Sequence, residues 1–540
     1  MKKMTRIFFF FLLFSISDGV MAQTAPKSSP RLVTRPEKTS YTETSRYQDV
    51  MDFLAALPKS SRLHQTTFGY TMEGRKLPLV VWGNVKSASP KDVLSSGKLR
   101  FFVMANIHAG EVEGKEAMLQ LLRELSSGKY QKWADSLVLL IAPIYNADGN
   151  ERVRLTNRPL QLGPIGGMGQ RPNAQDLDLN RDHIKLNSPE ARSLVGLLDA
   201  YNPHVWMDLH TTDGSVHAYH LTYAPPLNPN VHPSIDRLLR EKWLPEVTRT
   251  VEKKHRWAFY HYGNLPESGP SYTNAERQPE RAWYSFDHRP RFSNNYAALR
   301  NILGILSEAY SYATFEERIK ATHIFVTACA DYAYQNRSAI VQIKSKADAE
   351  DVVGQSLSLR SALAKSDKKE TILIGEITEE RHPYTGETMW RRKNIRIPEE
   401  MPVYTHFEGK EHETVPQRYF IPENQKVAIQ KLQAHGLKMK QLTQKETLSL
   451  QEFQIDSTKT TRFAFQGHKE RTVFGKYITV TTEVPEGSYI LDLSENRANA
   501  KLAFYLLEPR SDDGLLNWNF FDPWLEKQPR LYPIRRQLHP

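Results

Sequence analysis

The sequence predicts an α/β fold built on a largely parallel sheet, followed by a β-rich region from about residue 370. Three observations carry this. Short apolar runs at 101–105, 137–145, 205–209 and 302–306 end in turn-forming or polar residues, as buried strands do. Amphipathic segments alternate with them: Met118, Leu121, Leu122 and Leu125 share one helical face, as do Ala191, Leu194, Val195 and Leu198. Past residue 370 strand-like runs take over at 371–377, 463–465, 477–484 and 489–493.

Taken in order, the chain opens on Lys2, Lys3 and Arg6, then an apolar run at 7–16 and the small-residue site Val20-Met21-Ala22. Residues 1–22 therefore read as a signal peptide, which implies a secreted or periplasmic protein. The apolar run is short for a spanning helix, so no stable membrane span is expected after cleavage. Residues 23–45, rich in Thr, Ser, Pro and charge, read as a linker. One domain is expected over 46–369 and an accessory domain over 370–540. A helix is predicted over 47–57. Residues 68–70 and 76–82 form a β-hairpin around Met72-Glu73-Gly74-Arg75. The loop Gly163-Pro164-Ile165-Gly166-Gly167-Met168-Gly169 follows no strand and lacks the lysine and hydroxyl of a phosphate loop, so it reads as flexible backbone over a site.

Ser188-Pro189-Glu190 opens a helix with proline at its first position. Residues 222–295 are dense in proline, tyrosine and polar groups, the composition of loops that shape a cleft. A short helix is expected at 295–301, and, after the strand 302–306 with Glu308 at its end, helical segments to about Ala364. Further on, 427–435 reads as a helix closed by Gly436, 502–507 as a strand, and the aromatic stretch 517–521 as packing against the first domain.

With 540 residues, 40% of them hydrophobic, the chain can build two domains or one large one. Its formal charge is +11; three cations and one anion of that balance lie in the first 22 residues. The excess is spread rather than clustered, so no nucleic-acid partner is expected. One cysteine, Cys329, excludes an intramolecular disulfide and sits in an apolar segment, as a buried small hydrophobe would.

The chemistry gathers at strand ends. His108-Ala109-Gly110-Glu111 puts an imidazole and a carboxylate three residues apart in a turn. Zinc accepts both, and two histidines with one glutamate leave a fourth position for water. Further polar clusters follow at Asp178–Asp182, His210 and Glu308. Neither an HExxH zinc motif nor a GxSxG serine elbow is present, since His412-Glu413 lacks its second histidine.

In this order the segments His108-Ala109-Gly110-Glu111, Asn146-Ala147-Asp148-Gly149, Asp178-Leu179-Asn180-Arg181, Asp208-Leu209-His210 and Ser307-Glu308 resemble the carboxypeptidase A-like zinc metallopeptidase family over roughly residues 46–320. The family's usual Asn-Pro-Asp-Gly is Asn-Ala-Asp-Gly here, with the glycine turn kept. The resemblance implies a twisted mixed sheet with helices on both faces. It implies one Zn2+ held by His108, Glu111 and His210, with Glu308 as general base and Asp178 orienting a ligand histidine. Asn180 and Arg181 would receive a substrate's terminal carboxylate. For the arginine that stabilises the oxyanion, Arg171 is the choice and Arg158 the alternative. Tyr284 and Tyr296 are the choices for a tyrosine that covers the substrate. His217 and His220 read as wall residues, because the ligand set is complete without them. The expected function is a secreted metallocarboxypeptidase acting on peptides with a free carboxylate. The alternative is a zinc amidohydrolase acting on N-acyl amino acids or cell-wall peptides.

Overall fold

The computed structural model describes residues 32–212, 214–266 and 280–538. The expected signal peptide, residues 1–22, lies outside the described residues, as does the expected linker up to residue 31. Eight strands form the central sheet: β1 (Leu63–Tyr70), β2 (Lys76–Trp82), β3 (Leu99–Ala105), β4 (Leu137–Ala142), β5 (Val205–Thr211), β6 (Leu221–Ala224), β7 (Phe259–His261) and β8 (Leu303–Ala309). Their order is β1-β2-β4-β3-β5-β8-β6-β7. β4, β3, β5 and β8 run parallel, while β1, β2 and β6 pair antiparallel to their inner neighbours. The sheet is thus mixed around a parallel centre.

β3 explains why the sheet needs cover on both sides. All seven of its residues are buried. Phe102 and Met104 point into one apolar core, with Leu194, Leu198 and Leu299 from the helices Pro189–Tyr201 and Ser293–Leu299. Phe101, Val103 and Ala105 point into the other, with Phe53, Met118, Leu122 and Phe325 from the helices Tyr47–Ala55, Glu113–Ser126 and Phe315–Gln335. A strand buried at every position, and apolar at all but Arg100, can be stable only between two such layers. Gly114, at the start of the helix after β3, lets that helix press onto the sheet: an added Cβ would stand 2.8 Å from Leu209 Cβ.

Several expectations are corrected. Residues 32–45 are not a loose linker. They include the helix Arg35–Lys38, and Thr44 and Ser45 are buried. The carboxylate of Glu116, itself buried, accepts from Thr44 Oγ1, Ser45 N and Ser45 Oγ at 2.7–2.8 Å. A buried carboxylate needs these donors, and they anchor the segment. The helices end at Ala349 rather than Ala364. Ser356–Ala364 is a strand paired with His406–Thr414, so the β-rich region begins before residue 370. Residues 463–465 are part of a hairpin tip, not a strand. Residues 502–507 lie in the helix Ala500–Leu507, whose eight residues are all buried. A segment buried all round shows no periodicity to separate helix from strand.

The C-terminal region carries a six-stranded sheet. Its longest hairpin joins Glu446–Thr460 to Arg471–Val484. The strand Tyr489–Asp492 pairs with Arg418–Ile421 and Lys440–Gln441. This region shares a core with the central sheet, because Tyr419, Phe504 and Trp518 cluster with Leu77, Phe102 and Trp206. The Trp518 ring lies 4.4 Å from both Lys185 Nζ and the Arg291 guanidinium. Cys329 is buried. Among the described residues no helix is long and apolar enough to cross a membrane.

Candidate metal centre and substrate cleft

The topology delivers the site. β3, β5 and β8 are parallel neighbours, so the residues that end them meet along one sheet edge, where open α/β sheets bind ligands. His108 and Glu111 follow β3, and His210 and Glu308 are paired residues of β5 and β8. The turn after β3 is held by Asn106, in the left-handed conformation at φ 66°. Asparagine tolerates that region better than most residues. Its Nδ2 donates to the carbonyls of His108, Ala109 and Glu111 at 3.2–3.4 Å. Gly110 is needed because a Cβ there would come within 2.7 Å of Gly169 O. The loop 163–169 thus packs against this turn.

Asn146-Ala147-Asp148-Gly149 is a brace. Asn146 Nδ2 donates to Ile107 O and Arg171 O, and its Oδ1 accepts from Gly149 N at 3.0 Å. Asp148 accepts from Thr71 Oγ1 and Glu73 N, which ties the β1–β2 turn to the site.

His108, Glu111 and His210 are buried, and one ligand atom from each lies within 4.8 Å of the others. His108 Nδ1 and His210 Nδ1 are 3.3 Å apart, and each lies 2.9 Å from an oxygen of Glu111. The far nitrogens are fixed by carboxylates: His108 Nε2 by Asp178 at 3.0 Å, His210 Nε2 by Asp208 at 2.8 Å. Such partners fix the tautomer that turns a free Nδ1 lone pair inward. Burial works against the Glu111 carboxylate, but His108 and the Arg158 guanidinium outweigh it and hold it well below the usual carboxylate range. Burial likewise opposes Asp178, and Arg171, Arg181 and His108 hold it low. Two inward imidazole nitrogens and an ionised carboxylate form a donor set suited to zinc. Converting Asp208 to Asn should weaken zinc binding by about 10–100-fold, read by competition with a chromogenic chelator.

Glu308, Arg171, Asn180 and Arg181 line the same cavity as the three ligand residues. Arg181 is buried; its Nη1 donates to Asn180 O, and its guanidinium lies 3.9 Å from the Phe292 ring centre. Asn180 is held by Ser293 N, which donates to its Oδ1. Asp182, the internal anion nearest in sequence, caps the next helix instead, accepting from Ser188 N and Oγ and from Asn187 N. Arg171 binds Asp178 at 2.9 Å, and Arg158 binds Glu111 at 2.5 Å.

Tyr284 and Tyr296 do not line the cavity. The helix bearing Tyr296 faces the core, and its hydroxyl pairs with His435 Nδ1 at 2.8 Å. Tyr284 donates to Glu280 O and stacks on Tyr404. The tyrosine the fold brings to the cavity is Tyr262, beside Phe286, Phe292 and Leu306. No sequence periodicity marks these four, because they come from separate loops and strands. Asp208 had a signal: two residues before His210 on one strand, it shares that residue's face. His217 and His220, expected in the wall, do not line this cavity either; they pack on Tyr310 and Trp257 at 4.2 and 4.6 Å between ring centres.

Residues 47–287 match the family model of zinc carboxypeptidases. The chain therefore carries a zinc carboxypeptidase domain and is a peptide-bond hydrolase of the metallopeptidase class. It is 24% identical to "Carboxypeptidase 2" of Trichophyton equinum, over 97% of this chain and 92% of that protein. The protein of the same name from Trichophyton rubrum is 23% identical over the same shares. Among solved structures, a metallo-carboxypeptidase from Burkholderia cenocepacia aligns over 55% of this chain and 71% of its own, at 16% identity and a TM-score of 0.41. The carboxypeptidase A of Helicoverpa armigera aligns over 55% and 75%, at 14% identity and the same score.

Proposed function

We propose that the protein is an exported zinc carboxypeptidase that removes apolar residues from peptide C-termini. The observation that carries this is a single cavity. It holds His108, Glu111 and His210, with Glu308 beside them and Asn180 and Arg181 in the same wall. His108 Nδ1, His210 Nδ1 and the Glu111 carboxylate would hold the ion. Zinc, when bound, supplies a Lewis acid that acidifies water and polarises the scissile carbonyl. Glu308 takes the proton from the attacking water onto its carboxylate and returns it to the leaving amine nitrogen. Arg171 faces the cavity and stabilises the carbonyl oxygen as it gains charge. Both arginines pair with carboxylates, Arg171 with Asp178 and Arg158 with Glu111, but Arg171 lines the cavity and Arg158 is not among its lining residues. Arg181 and Asn180 bind the terminal carboxylate, and Asp178 and Asp208 orient the two histidines. Tyr262, Phe286, Phe292 and Leu306 offer an apolar wall next to Arg181, which favours an apolar terminal side chain. The N-terminal cations and apolar run support export.

The test compares peptides ending in phenylalanine or leucine as free acids and as amides. A hydrogen bond to a charged group contributes roughly 1.5–3 kcal/mol. Amidation is therefore expected to lower kcat/KM by about tenfold to a hundredfold. Arg181→Ala should lower activity on the free acid and flatten that difference. Equal cleavage of acid and amide by the wild type would show that no terminus is read, and would favour an amidohydrolase acting on N-acyl amino acids or cell-wall peptides.

A further inference from the structure

The long C-terminal hairpin ends beside the catalytic cavity. Its tip is a two-residue turn: Phe465 and His468 exchange backbone hydrogen bonds at 2.7 and 3.0 Å across Gln466-Gly467. Both turn residues have positive φ, 51° for Gln466 and 80° for Gly467. Such turns favour Asn-Gly or Asp-Gly, because the Cβ of other residues is strained in the left-handed region while the short polar side chain of Asn or Asp offsets that strain by hydrogen-bonding locally. A glutamine there costs the turn stability, so the reason for it must lie elsewhere. The Gln466 side chain reaches across from the C-terminal region, and its Oε1 accepts from Asp178 N at 2.8 Å.

That amide opens the turn Asp178–Arg181. The Asp178 side chain holds His108 Nε2 and caps Asn180 N, and Asn180 and Arg181 follow within three residues. The neighbouring wall is gripped from the same side. Glu470, at the foot of the tip, accepts from Arg291 Nη2, and Asp513 accepts from Arg291 N and Nε at 2.6 and 2.8 Å. Arg291 precedes Phe292, the ring that faces Arg181.

We propose that Gln466 is a positioning residue of the active site, and that through it the C-terminal region sets the turn Asp178–Arg181. The inference rests on the role proposed above for that turn. Gln466 touches neither the metal ligands nor the substrate; it acts through Asp178. Its removal loosens both the carboxylate on His108 and the pair that binds the terminal carboxylate.

Two variants separate positioning from simple stabilisation. In Gln466→Asn the turn gains a residue better suited to it, but the side chain is one methylene too short to reach Asp178 N. In Gln466→Met the length is kept and the acceptor is lost. Melting temperature, zinc affinity by chelator competition, and kcat/KM on free-acid and amidated peptides are measured for each. Gln466→Asn is expected to melt no lower than the wild type. Both variants should lose about tenfold in kcat/KM on the free acid, bind zinc severalfold more weakly, and show a smaller preference for acid over amide. Wild-type zinc affinity and wild-type kcat/KM in either variant would overturn the proposal. So would a loss of activity that tracks only a fall in melting temperature. Should the wild type itself fail to prefer free acids, the carboxypeptidase reading fails, and the zinc affinities of the two variants alone decide the role of Gln466.

Discussion

Glu308→Gln is expected to retain zinc and the native melting temperature while losing turnover by a factor on the order of 10²–10⁴. The substitution keeps the shape of the side chain. Glu308 sits near the end of β8, in register with His210 of β5 and Thr222 of β6. Its backbone is fixed by the sheet, and its side chain lines the cavity with His108 and His210. An amide in that place still fills the space, but it cannot accept a proton from water or pass one to an amine. The loss should therefore fall on kcat, with little change in the binding of a product-like C-terminal fragment. Turnover within a few fold of the wild type would assign the base to another group. Zinc analysis of the same preparation guards against a trivial cause, because an enzyme lacking metal would also be inactive.

The parallel centre of the sheet was legible because its strands carry short, mostly apolar runs that end in turn-forming or polar residues. β3 and β5 begin and end within two residues of the runs read from the sequence. His210 and Glu308 were legible for the same reason, because a strand fixes where its end residues go, whereas His108 and Glu111 sit in the turn after β3 and were legible by their spacing. The cavity's other walls were not. Tyr262, Phe286 and Phe292 come from the loop-rich stretch between β6 and the helix Ser293–Leu299, where position in space follows from packing rather than from periodicity. Tyr296 was misplaced because a tyrosine in a helix can face core or cleft, and only the His435 ring opposite it decides. Gln466 was beyond reach altogether: it lies 288 residues from Asp178, on a region whose contact with the site no local pattern announces.

His210→Ala is expected to abolish stoichiometric zinc binding, and with it the stabilisation that zinc confers. Three ligand atoms within 4.8 Å supply the site, so removing one leaves only two protein donors. Two donors do not make up the three-ligand set that catalytic zinc sites use. In the wild type, free zinc at a hundred times its Kd should add about 2.7 kcal/mol of stability. The melting temperature should rise accordingly and fall back with a chelator. The variant loses packing as well, because His210 is buried and the carboxylate of Asp208 is left without its ring partner. Its metal-free melting temperature is therefore expected to drop, and the diagnostic quantity is the response to zinc, not the starting value. Proton competition supplies an independent reading. In the metal-free protein burial lowers the pKa of His210, but Asp208 and Glu111 outweigh burial and raise it well above the usual imidazole value. A proton on that ring must leave before zinc binds, so wild-type affinity should weaken as the pH falls. One zinc per chain in His210→Ala, at wild-type affinity and with the same melting response, would remove His210 from the metal site and the metal site from this cavity.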